Sequence, residues 1–345
     1  MKYTKRADGR YQVTLTISKG KTKVFYGKTK KEIDHKILNY QEEKKLGKLF
    51  SEIASEWWEF FEEQLSYQTR SSYNAALKRI LEFFSDTRIR DIKTKDINAF
   101  IFKLVEYDFA QKTISNHKIV CNKIFEYAVL QEEIEFNPCA SVKLPKNLKK
   151  SKRSSASSEE EKIIFNSADI WLFPYIALLS GMRKGEILAL QVKDIDFTEK
   201  TIKVSKSVYF EANKPKIKKP KTEAGNRIVP LLKPLEEKLL KYIREYKLKK
   251  DDFIINDGEG NAITKKAFRY RYSKFQKETG IKCTPHQIRH SFATNAFESD
   301  VPIKAVQEIL GHKQISTTMD IYTDFRKASF DSAQQKLNDN FEKKK

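Results

Sequence analysis

The string Thr284-Pro285-His286-Gln287-Ile288-Arg289-His290 decides how the chain is interpreted. The spacing of three residues places His286 and Arg289 on one face of a helix predicted over residues 286–297. Four shorter strings stand in a fixed order before and after it. They are Gly181-Met182-Arg183-Lys184-Gly185-Glu186, Lys221-Thr222, Leu310-Gly311-His312 and the single residue Tyr322. The order and spacing of the whole set, rather than any one residue, make these strings informative.

The residue types in the set suit the separate tasks of breaking a phosphodiester. A tyrosine can attack phosphorus and form a covalent ester that keeps the bond energy. An arginine neutralises phosphate oxygens because its planar guanidinium binds two oxygens and keeps its charge. A lysine can protonate the departing oxygen, and a histidine can transfer protons near neutral pH. The predicted catalytic residues are Arg183, Lys221, His286, Arg289, His312 and the nucleophile Tyr322, with Glu186 in support.

Two simpler interpretations compete for parts of this set. Arg183 and Glu186 could form an ordinary helical ion pair, which stabilises a helix by roughly 0.2–0.5 kcal/mol. His286 and His290 have the four-residue spacing of a zinc pair, but Gln287 stands where a zinc hydrolase has a glutamate. No compact set of Cys and His surrounds the pair. We therefore expect neither a metal nor another cofactor.

The charge of the chain narrows its partners. Its 345 residues carry a net charge of +21, which favours nucleic acid first and an anionic membrane surface second. No apolar run approaches the roughly 20 residues of a transmembrane helix, and residues 1–6 begin no signal sequence. The three cysteines are scattered, which fits a reducing compartment. We expect a protein of the cytoplasm that does not associate with a membrane.

Residues 1–48 are predicted to form a small basic module. Polar and apolar residues alternate over residues 11–17, and a second strand is predicted over residues 22–26. Thr29 and Glu32 form a capping box that starts a helix, which Gly47 can end. The lysines expected on the polar strand face and turn are Lys19, Lys21, Lys23 and Lys28. Because the charge surplus has one sign, we favour phosphate contact over a merely solvated face.

The rest of the chain divides into three parts by pattern. Residues 49–142 show helical stripes only, and Asn137-Pro138 should end the last helix. Residues 143–158 lack apolar periodicity and predict a basic linker, in which Lys149 and Lys150 are expected to contact DNA. Residues 159–345 predict a mainly helical domain with a small β-sheet and a last amphipathic helix after residue 328. The fold class is therefore multidomain α+β.

At this point the chain resembles the tyrosine recombinase (phage integrase) family. The resemblance covers most of the chain and is strongest over residues 284–325, with residues 181–190 and 221–230 in support. The family's matching strings are G-x-R-x-x-E, a lysine in a β-hairpin, H-x-x-R, L-G-H and a tyrosine. Ile288 stands where leucine is more usual. The competitors of Lys221 for the lysine position are Lys216, Lys218 and Lys219.

The resemblance implies a role for each predicted catalytic residue. Tyr322 would attack the scissile phosphate and leave a 3′-phosphotyrosine and a free 5′-hydroxyl. Arg183, Arg289 and His312 would hold the non-bridging oxygens. Lys221 would protonate the leaving oxygen, while His286 would assist proton transfer at the nucleophile.

The resemblance also implies domains and partners. Residues 1–48 resemble the arm-binding domain of integrases from temperate phages and conjugative transposons, and residues 49–142 the helical core-binding (SAM-like) domain. Residues 159–345 would be the catalytic domain, whose C-terminal helix docks on a neighbouring protomer. The implied partners are double-stranded core and arm attachment sites, three further protomers in a tetramer, an excisionase and a host DNA-bending protein. The implied location is the cytoplasm of a bacterial host, in association with the nucleoid.

Three other functions stay open at this point. A chromosome-dimer or plasmid resolvase of the same family would generally lack an arm-binding module. A type IB topoisomerase would share the tyrosine chemistry but act as a monomer. A basic DNA-binding regulator would need the catalytic residue types to fall in order by coincidence. The domain layout favours the integrase of a mobile element.

Overall fold

The structure of the chain is a computed structural model that describes residues 2–18, 21–149, 154–219, 225–328 and 342. These residues fall into two compact units, residues 1–152 and residues 153–345. The structure confirms a multidomain α+β fold, mainly helical, with small sheets.

The first unit begins with a three-stranded antiparallel sheet and one helix. Its elements are β1 (Thr4–Lys5), β2 (Tyr11–Ser18), β3 (Lys21–Gly27) and α1 (Lys30–Leu46). The predicted hairpin is confirmed, with Val13 opposite Phe25. Both residues are buried against Ile33 and Ile37 of α1, so the alternating strand pattern creates the small core. Glu32 N donates to Thr29 Oγ1 at 3.1 Å, as the capping box predicts, while the Glu32 carboxylate accepts from the backbone N of Lys28 at 2.8 Å rather than from that of Thr29.

Four helices complete the first unit. They are α2 (Phe50–Phe61), α3 (Tyr67–Phe84), α4 (Thr94–Glu106) and α5 (Gln111–Leu130). Their apolar stripes meet in one core around Phe50, Trp57 and Phe125. Arg88 and Arg90 on the following turn donate to the carbonyls of Gly47 and Lys45, at 2.8 and 2.9 Å. These bonds attach the end of α1 to the helical core.

The predicted linker, residues 143–158, differs from the structure at both of its ends. Leu148 is buried in the core of the first unit, and the carbonyl of Lys149 accepts a bond from Gln111 N at 2.9 Å. Ala156 is buried in the second unit, where its N donates to Ser291 Oγ at 3.0 Å. Single apolar residues anchor both ends, a signal too sparse for a periodic pattern. Residues 150–153, between them, lie outside the described part.

The second unit contains eight further helices and two further sheets within its described residues. The helices are α6 (Ser158–Asn166), α7 (Leu172–Ser180), α8 (Lys184–Ile187), α9 (Lys233–Glu245), α10 (Lys265–Thr279), α11 (Pro285–Glu298), α12 (Ile303–Leu310) and α13 (Ile315–Ala328). The strands are β4 (Ile195–Asp196), β5 (Thr201–Val204), β6 (Ser207–Glu211), β7 (Lys214–Lys218) and β8 (Arg227–Pro230). Its main core lies among α7, α9, α10 and the β4-β5-β8 sheet.

Strand β5 pairs with β8 although 22 residues separate them, since Val204 lies opposite Arg227. The intervening chain forms a separate antiparallel ribbon of β6 and β7. The ribbon packs closely on α8: a Cβ added to Gly185 would lie 2.4 Å from Ser207 Oγ. At the ribbon's turn, Asn213 Oδ1 accepts a bond from Lys266 N, at the start of α10, at 2.9 Å. The ribbon is thus fixed at its base and at its turn.

Helices α11, α12 and α13 share a smaller core within the second unit. Phe292 and Phe297 of α11 pack with Val306 and Leu310 of α12 and with Ile321 of α13. The helix predicted after residue 328 falls outside the described residues. Within the described residues, no helix is both long and apolar enough to cross a membrane.

Candidate active site

Arg183 is placed by an abrupt change of direction after α7. Gly181 ends that helix with φ of +61°, in the left-handed region that favours glycine. A Cβ at this position would lie 2.4 Å from Phe292 Cδ1 of α11. Glycine therefore allows α7 and α11 to approach closely, which brings Arg183 towards the helix that carries Arg289.

Glu186 is the centre of the site. Its side chain is 7% exposed, and it accepts bonds from the backbone N and the Nη1 of Arg183 at 2.7 and 2.9 Å. Arg227 binds both carboxylate oxygens, at 3.1 and 2.9 Å, and Arg289 Nη1 lies 3.9 Å away. Burial alone would raise the pKa of Glu186, but the bonds and charge of Arg227, with Arg183, hold that pKa below its usual value.

Arg289 is buried in the second unit and points into this cluster. Its Nη2 donates to the carbonyl of Leu310 at 2.7 Å and lies 3.0 Å from Nε2 of His312. Its Nη1 is buried without a hydrogen-bond acceptor among the described residues. Burial, with the nearby charges of Arg183 and Arg227, lowers the pKa of Arg289 to about 9, against the opposing effect of Glu186. Three guanidiniums around one carboxylate form a site that an anion would stabilise.

His312 follows α12 and, with Arg183, Arg227 and Arg289, completes a cationic pocket around Glu186. Gly311, with φ of +67°, ends that helix, and its carbonyl accepts a bond from Arg183 Nη2 at 2.8 Å. The Nδ1 of His312 lies 2.8 Å from Thr318 Oγ1. Burial, and then the charge of Arg289, lowers the pKa of His312 to about 3, so the ring is neutral at physiological pH.

His286 and His290 lie one turn apart at the start of α11. Their Nε2 atoms are 3.3 Å apart. Gln287, between them, closes a capping box: its Oε1 accepts from Thr284 N at 3.0 Å. The glutamine at this position therefore serves the helix start. Within the described part of the chain, no group of three or more His, Cys, Asp or Glu side chains is arranged to hold a metal ion.

Tyr322 lies on α13, one turn beyond Thr318. Its half-buried ring packs edge-on against Phe297, with ring centroids 5.1 Å apart. Since Thr318 bonds to His312, the helix of the predicted nucleophile is attached directly to the cationic pocket.

The structure does not describe Lys221, which lies in the undescribed segment 220–224. Its competitors are on or just after β7, where Lys216 lies opposite Tyr209 and Lys218 Nζ is 5.2 Å from the Tyr209 ring centroid. The lysine assignment stays a prediction.

Two residues of the site were not predicted from the sequence. Arg227 binds Glu186 and donates from Nε to the carbonyl of Ile309 at 2.5 Å, so it joins β8, α8 and α12. Thr318 connects His312 to α13. Arg227 falls within residues 221–230 and Thr318 within residues 284–325, two of the stretches that carry the family resemblance, but only their contacts in the fold show what they do.

The predicted DNA-binding lysines differ in their surroundings. Lys23 lies on the side of the sheet that faces α1, with Nζ 4.0 Å from the centroid of the Tyr40 ring, rather than on the outer polar face. Lys28 is exposed, and Lys149 is exposed but pairs with Asp108. Lys19 and Lys150 lie outside the described residues, as does the side chain of Lys21. None of these surroundings tests DNA contact.

Comparison with known families and proteins shows the family of this chain. The phage integrase family model matches residues 157–329, and the phage integrase central domain model matches residues 50–144. A tyrosine recombinase XerC-like protein of Caldanaerobacter subterraneus subsp. tengcongensis is 30% identical over 98% of both chains. The ICEBs1 integrase of Bacillus subtilis is 30% identical over 71% of this chain and 70% of its own.

A solved structure shares the fold. The Tn1549 transposon integrase, in complex with transposon right-end DNA, has a TM-score of 0.67 at 22% identity and covers 83% of this chain and 99% of its own. At this identity the likeness concerns the fold alone.

Proposed function

The chain belongs to the phage integrase family of tyrosine recombinases, which break and rejoin DNA, and from this premise we propose that its site cleaves DNA through Tyr322. The enzyme is a site-specific recombinase of the integrase type. We assign it to the integration and excision of a prophage or another mobile element in a bacterial chromosome. The relative from ICEBs1 and the neighbour from Tn1549, both named integrases, support this assignment.

One observation supports this function most directly. Arg289 Nη1 is buried and has no acceptor among the described residues, beside Arg183, Arg227 and the neutral ring of His312. A phosphodiester is the anion that the proposed reaction supplies, and its non-bridging oxygens would accept these donors. Glu186 keeps the arginines together and leaves two net positive charges for the phosphate.

Each step of the proposed reaction forms one phosphorus–oxygen bond and breaks another. Tyr322 Oη attacks phosphorus, a 3′-phosphotyrosine forms, and the 5′-oxygen leaves. Arg183, Arg289 and His312 stabilise the charge that develops on the phosphate oxygens. His286 takes part in removing the phenol proton, and Lys221 returns a proton to the leaving oxygen. Attack by the free 5′-hydroxyl of a second strand reverses these steps and rejoins the DNA.

We extend the proposal to partners and place of action. Residues 49–142 and residues 159–345 would each bind core-site DNA, and residues 1–48 would bind arm DNA. Four protomers would pair two sites and exchange strands through a Holliday junction, with an excisionase and a host bending protein setting direction. The enzyme would act at the bacterial chromosome in the cytoplasm.

A chromosome-dimer resolvase is the second candidate. The relative named XerC-like matches 98% of this chain, so its name favours this candidate although the chain carries an N-terminal sheet module. A recombination assay separates the two. An integrase joins an element's attachment site to a chromosomal site, whereas a resolvase acts on two copies of one chromosomal site.

Covalent trapping tests the chemistry. The purified chain would be mixed in EDTA with a labelled, nicked duplex from the element's candidate junction, beside Tyr322→Phe. A denaturant-stable adduct that disappears in the variant is the expected result. A duplex that binds and yields no adduct would contradict the proposal, and an adduct that persists in Tyr322→Phe would mean that another tyrosine attacks.

A further inference from the structure

Thr318 is a fully buried hydroxyl residue, and Ile321 is the only other buried residue among the described side chains of α13. The side chain of Thr318 is 0% exposed, whereas its neighbours Thr317 and Met319 are exposed. It stands four residues before Tyr322, so both side chains lie on the same face of α13, one turn apart. A buried hydroxyl needs a hydrogen-bond partner, and that partner is His312 Nδ1 at 2.8 Å.

The contacts of His312 determine where its proton lies. Arg289 Nη2 is 3.0 Å from Nε2, and a guanidinium has donors only. Nε2 must therefore accept, which requires a neutral ring whose single proton is on Nδ1. In the DNA-free enzyme Nδ1–H consequently donates to Thr318 Oγ1.

The same bond can reverse when a phosphate enters. A hydroxyl is both donor and acceptor, so Thr318 can also donate to an unprotonated Nδ1. A phosphate oxygen would take the Arg289 hydrogen bond and offer an acceptor to Nε2–H of His312. One proton leaves Nδ1 to water and one is taken from water at Nε2, so the ring stays neutral and keeps its partner.

We infer that Thr318 is a positioning residue for DNA cleavage, whose hydroxyl holds His312 in both neutral tautomers and ties that ring to the helix of Tyr322. The inference rests on the proposed function of His312 and Tyr322. It identifies a role for a threonine that acts through His312.

The matched pair of threonines gives the test in the full-length chain. Thr318→Val keeps the shape and removes the hydroxyl, Thr318→Ser keeps the hydroxyl, and Thr317→Val makes the same change on the exposed face. Single-turnover adduct formation would be measured at saturating nicked duplex, with the dissociation constant of the duplex measured separately. We expect Thr318→Val to slow adduct formation about 10- to 100-fold, part of the range for a general acid–base group. Thr318→Ser, Thr317→Val and the dissociation constants should stay within about threefold of wild type, because only the hydroxyl at residue 318 positions His312.

A spectroscopic readout separates positioning from folding. The chain has five histidines, so ¹⁵N-histidine labelling with His312→Gln for assignment gives the tautomer of His312. The ring should be Nδ1–H in the free protein and Nε2–H when the nicked duplex is bound to Tyr322→Phe. This measurement in wild type and Thr318→Ser decides the question even where Thr318→Val does not fold.

The inference would be overturned by a His312 ring that carries no proton on Nδ1 in the free protein, by an unchanged tautomer on DNA, or by equal rates for Thr318→Val and Thr317→Val. Loss of activity in Thr318→Ser equal to that in Thr318→Val would do the same. If wild type itself forms no adduct on a bound duplex, the proposed function fails, while the tautomer in the free protein still tests the contact.

Discussion

The arginine cluster of the second unit and the N-terminal module both carry positive charge, but they hold it in opposite ways. In the cluster, the side chains of Arg227 and Arg289 are 6% and 4% exposed and surround one buried carboxylate, that of Glu186. In the module, Lys23 and Lys28 are exposed and form none of the ion pairs seen among the described residues. The role proposed for the cluster depends on where each charge lies, whereas DNA binding by the module would depend on the sum of its charges.

The difference has energetic consequences. A buried charge that loses its partner pays a desolvation cost that water does not relieve. An exposed charge keeps its hydration and interacts through a screened field. Single changes should therefore be large and specific in the cluster, but small and dependent on salt in the module.

Glu186→Gln should give the largest effect. The amide cannot balance Arg183, Arg227 and Arg289, so the free energy of unfolding should fall by about 3–5 kcal/mol. Chemical denaturation of the full chain measures this loss. Glu278→Gln is the control, because Glu278 pairs only at the surface with Lys274 at 3.7 Å, in the described residues, and such pairs contribute about 0–1 kcal/mol. Equal losses in the two variants would show that burial does not distinguish this carboxylate.

Arg227→Met should give the second-largest effect on stability. It removes a two-pronged bond to Glu186 and a bond to the Ile309 carbonyl, and the expected loss is about 2–3 kcal/mol because the bonds involve a charged group. Adduct formation should fall with it, since Glu186 is then free to neutralise Arg183 and Arg289.

Arg227→Lys sharpens this prediction. Lysine keeps the charge but not the planar fork, so stability and adduct formation should lie between wild type and Arg227→Met. Arg271→Met is the matched control, because Arg271 Nη1 donates to the carbonyl of Asn256 at 2.8 Å, away from Glu186. If Arg227→Lys behaved as wild type, charge alone would account for the role of Arg227.

Local patterns predicted much of the fold. The alternating residues of β2 and β3, the apolar stripes of α2–α5 and the capping box before α1 each determine their element through neighbours close in sequence. Several elements escaped prediction, among them β4, β7 and α13. Strand β7 reads Lys-Pro-Lys-Ile-Lys and is a strand because it pairs with β6. Among its described side chains, α13 buries only Thr318 and Ile321, and it is positioned by α11 and α12.

The same distinction applies to the site. Arg183, Arg289 and His312 were predicted because their strings are recognisable, and the structure brings these three together. The roles of Arg227 and Thr318 depend on partners 41 and 6 residues away that only the packed fold supplies. Lys221 lies outside the described residues, so its place stays a prediction.

A smaller effect should appear in the dependence of stability on pH. The pKa of His312 is lowered to about 3 in the folded chain, below about 6.5 for a free histidine. Between these values the unfolded ring binds a proton and the folded ring does not, so stability falls as pH drops below about 6.5. The slope should be under about 1.4 kcal/mol per pH unit, because the ring is half-buried and water screens it.

Comparison with His312→Gln isolates this contribution. His117, buried in the first unit, also has a lowered pKa, owing chiefly to burial, and adds a slope of the same sign. The difference between wild type and variant between pH 6.5 and pH 4 is therefore the quantity to measure. If the free energy of unfolding changed with pH in the same way in wild type and His312→Gln, the ring of His312 would titrate normally in the folded chain.

The smallest effects should come from the module, where a pair of lysines distinguishes position from number. Lys28 is exposed at the end of β3, whereas Lys23 Nζ lies over the Tyr40 ring at 4.0 Å. If Lys28 contacts one phosphate, the association constant for arm DNA should depend less steeply on salt in Lys28→Gln. The slope of its logarithm against the logarithm of the salt concentration should become smaller in magnitude by about 0.9. Lys23→Gln should leave that slope nearly unchanged and instead cost about 0.5–1 kcal/mol of stability, the contribution of an exposed cation–π contact. Filter binding across a salt series, with denaturation in parallel, measures both. Equal changes of slope in Lys23→Gln and Lys28→Gln would place the α1-facing side of the sheet against DNA. Binding by the module would then depend on where each charge lies, as in the arginine cluster.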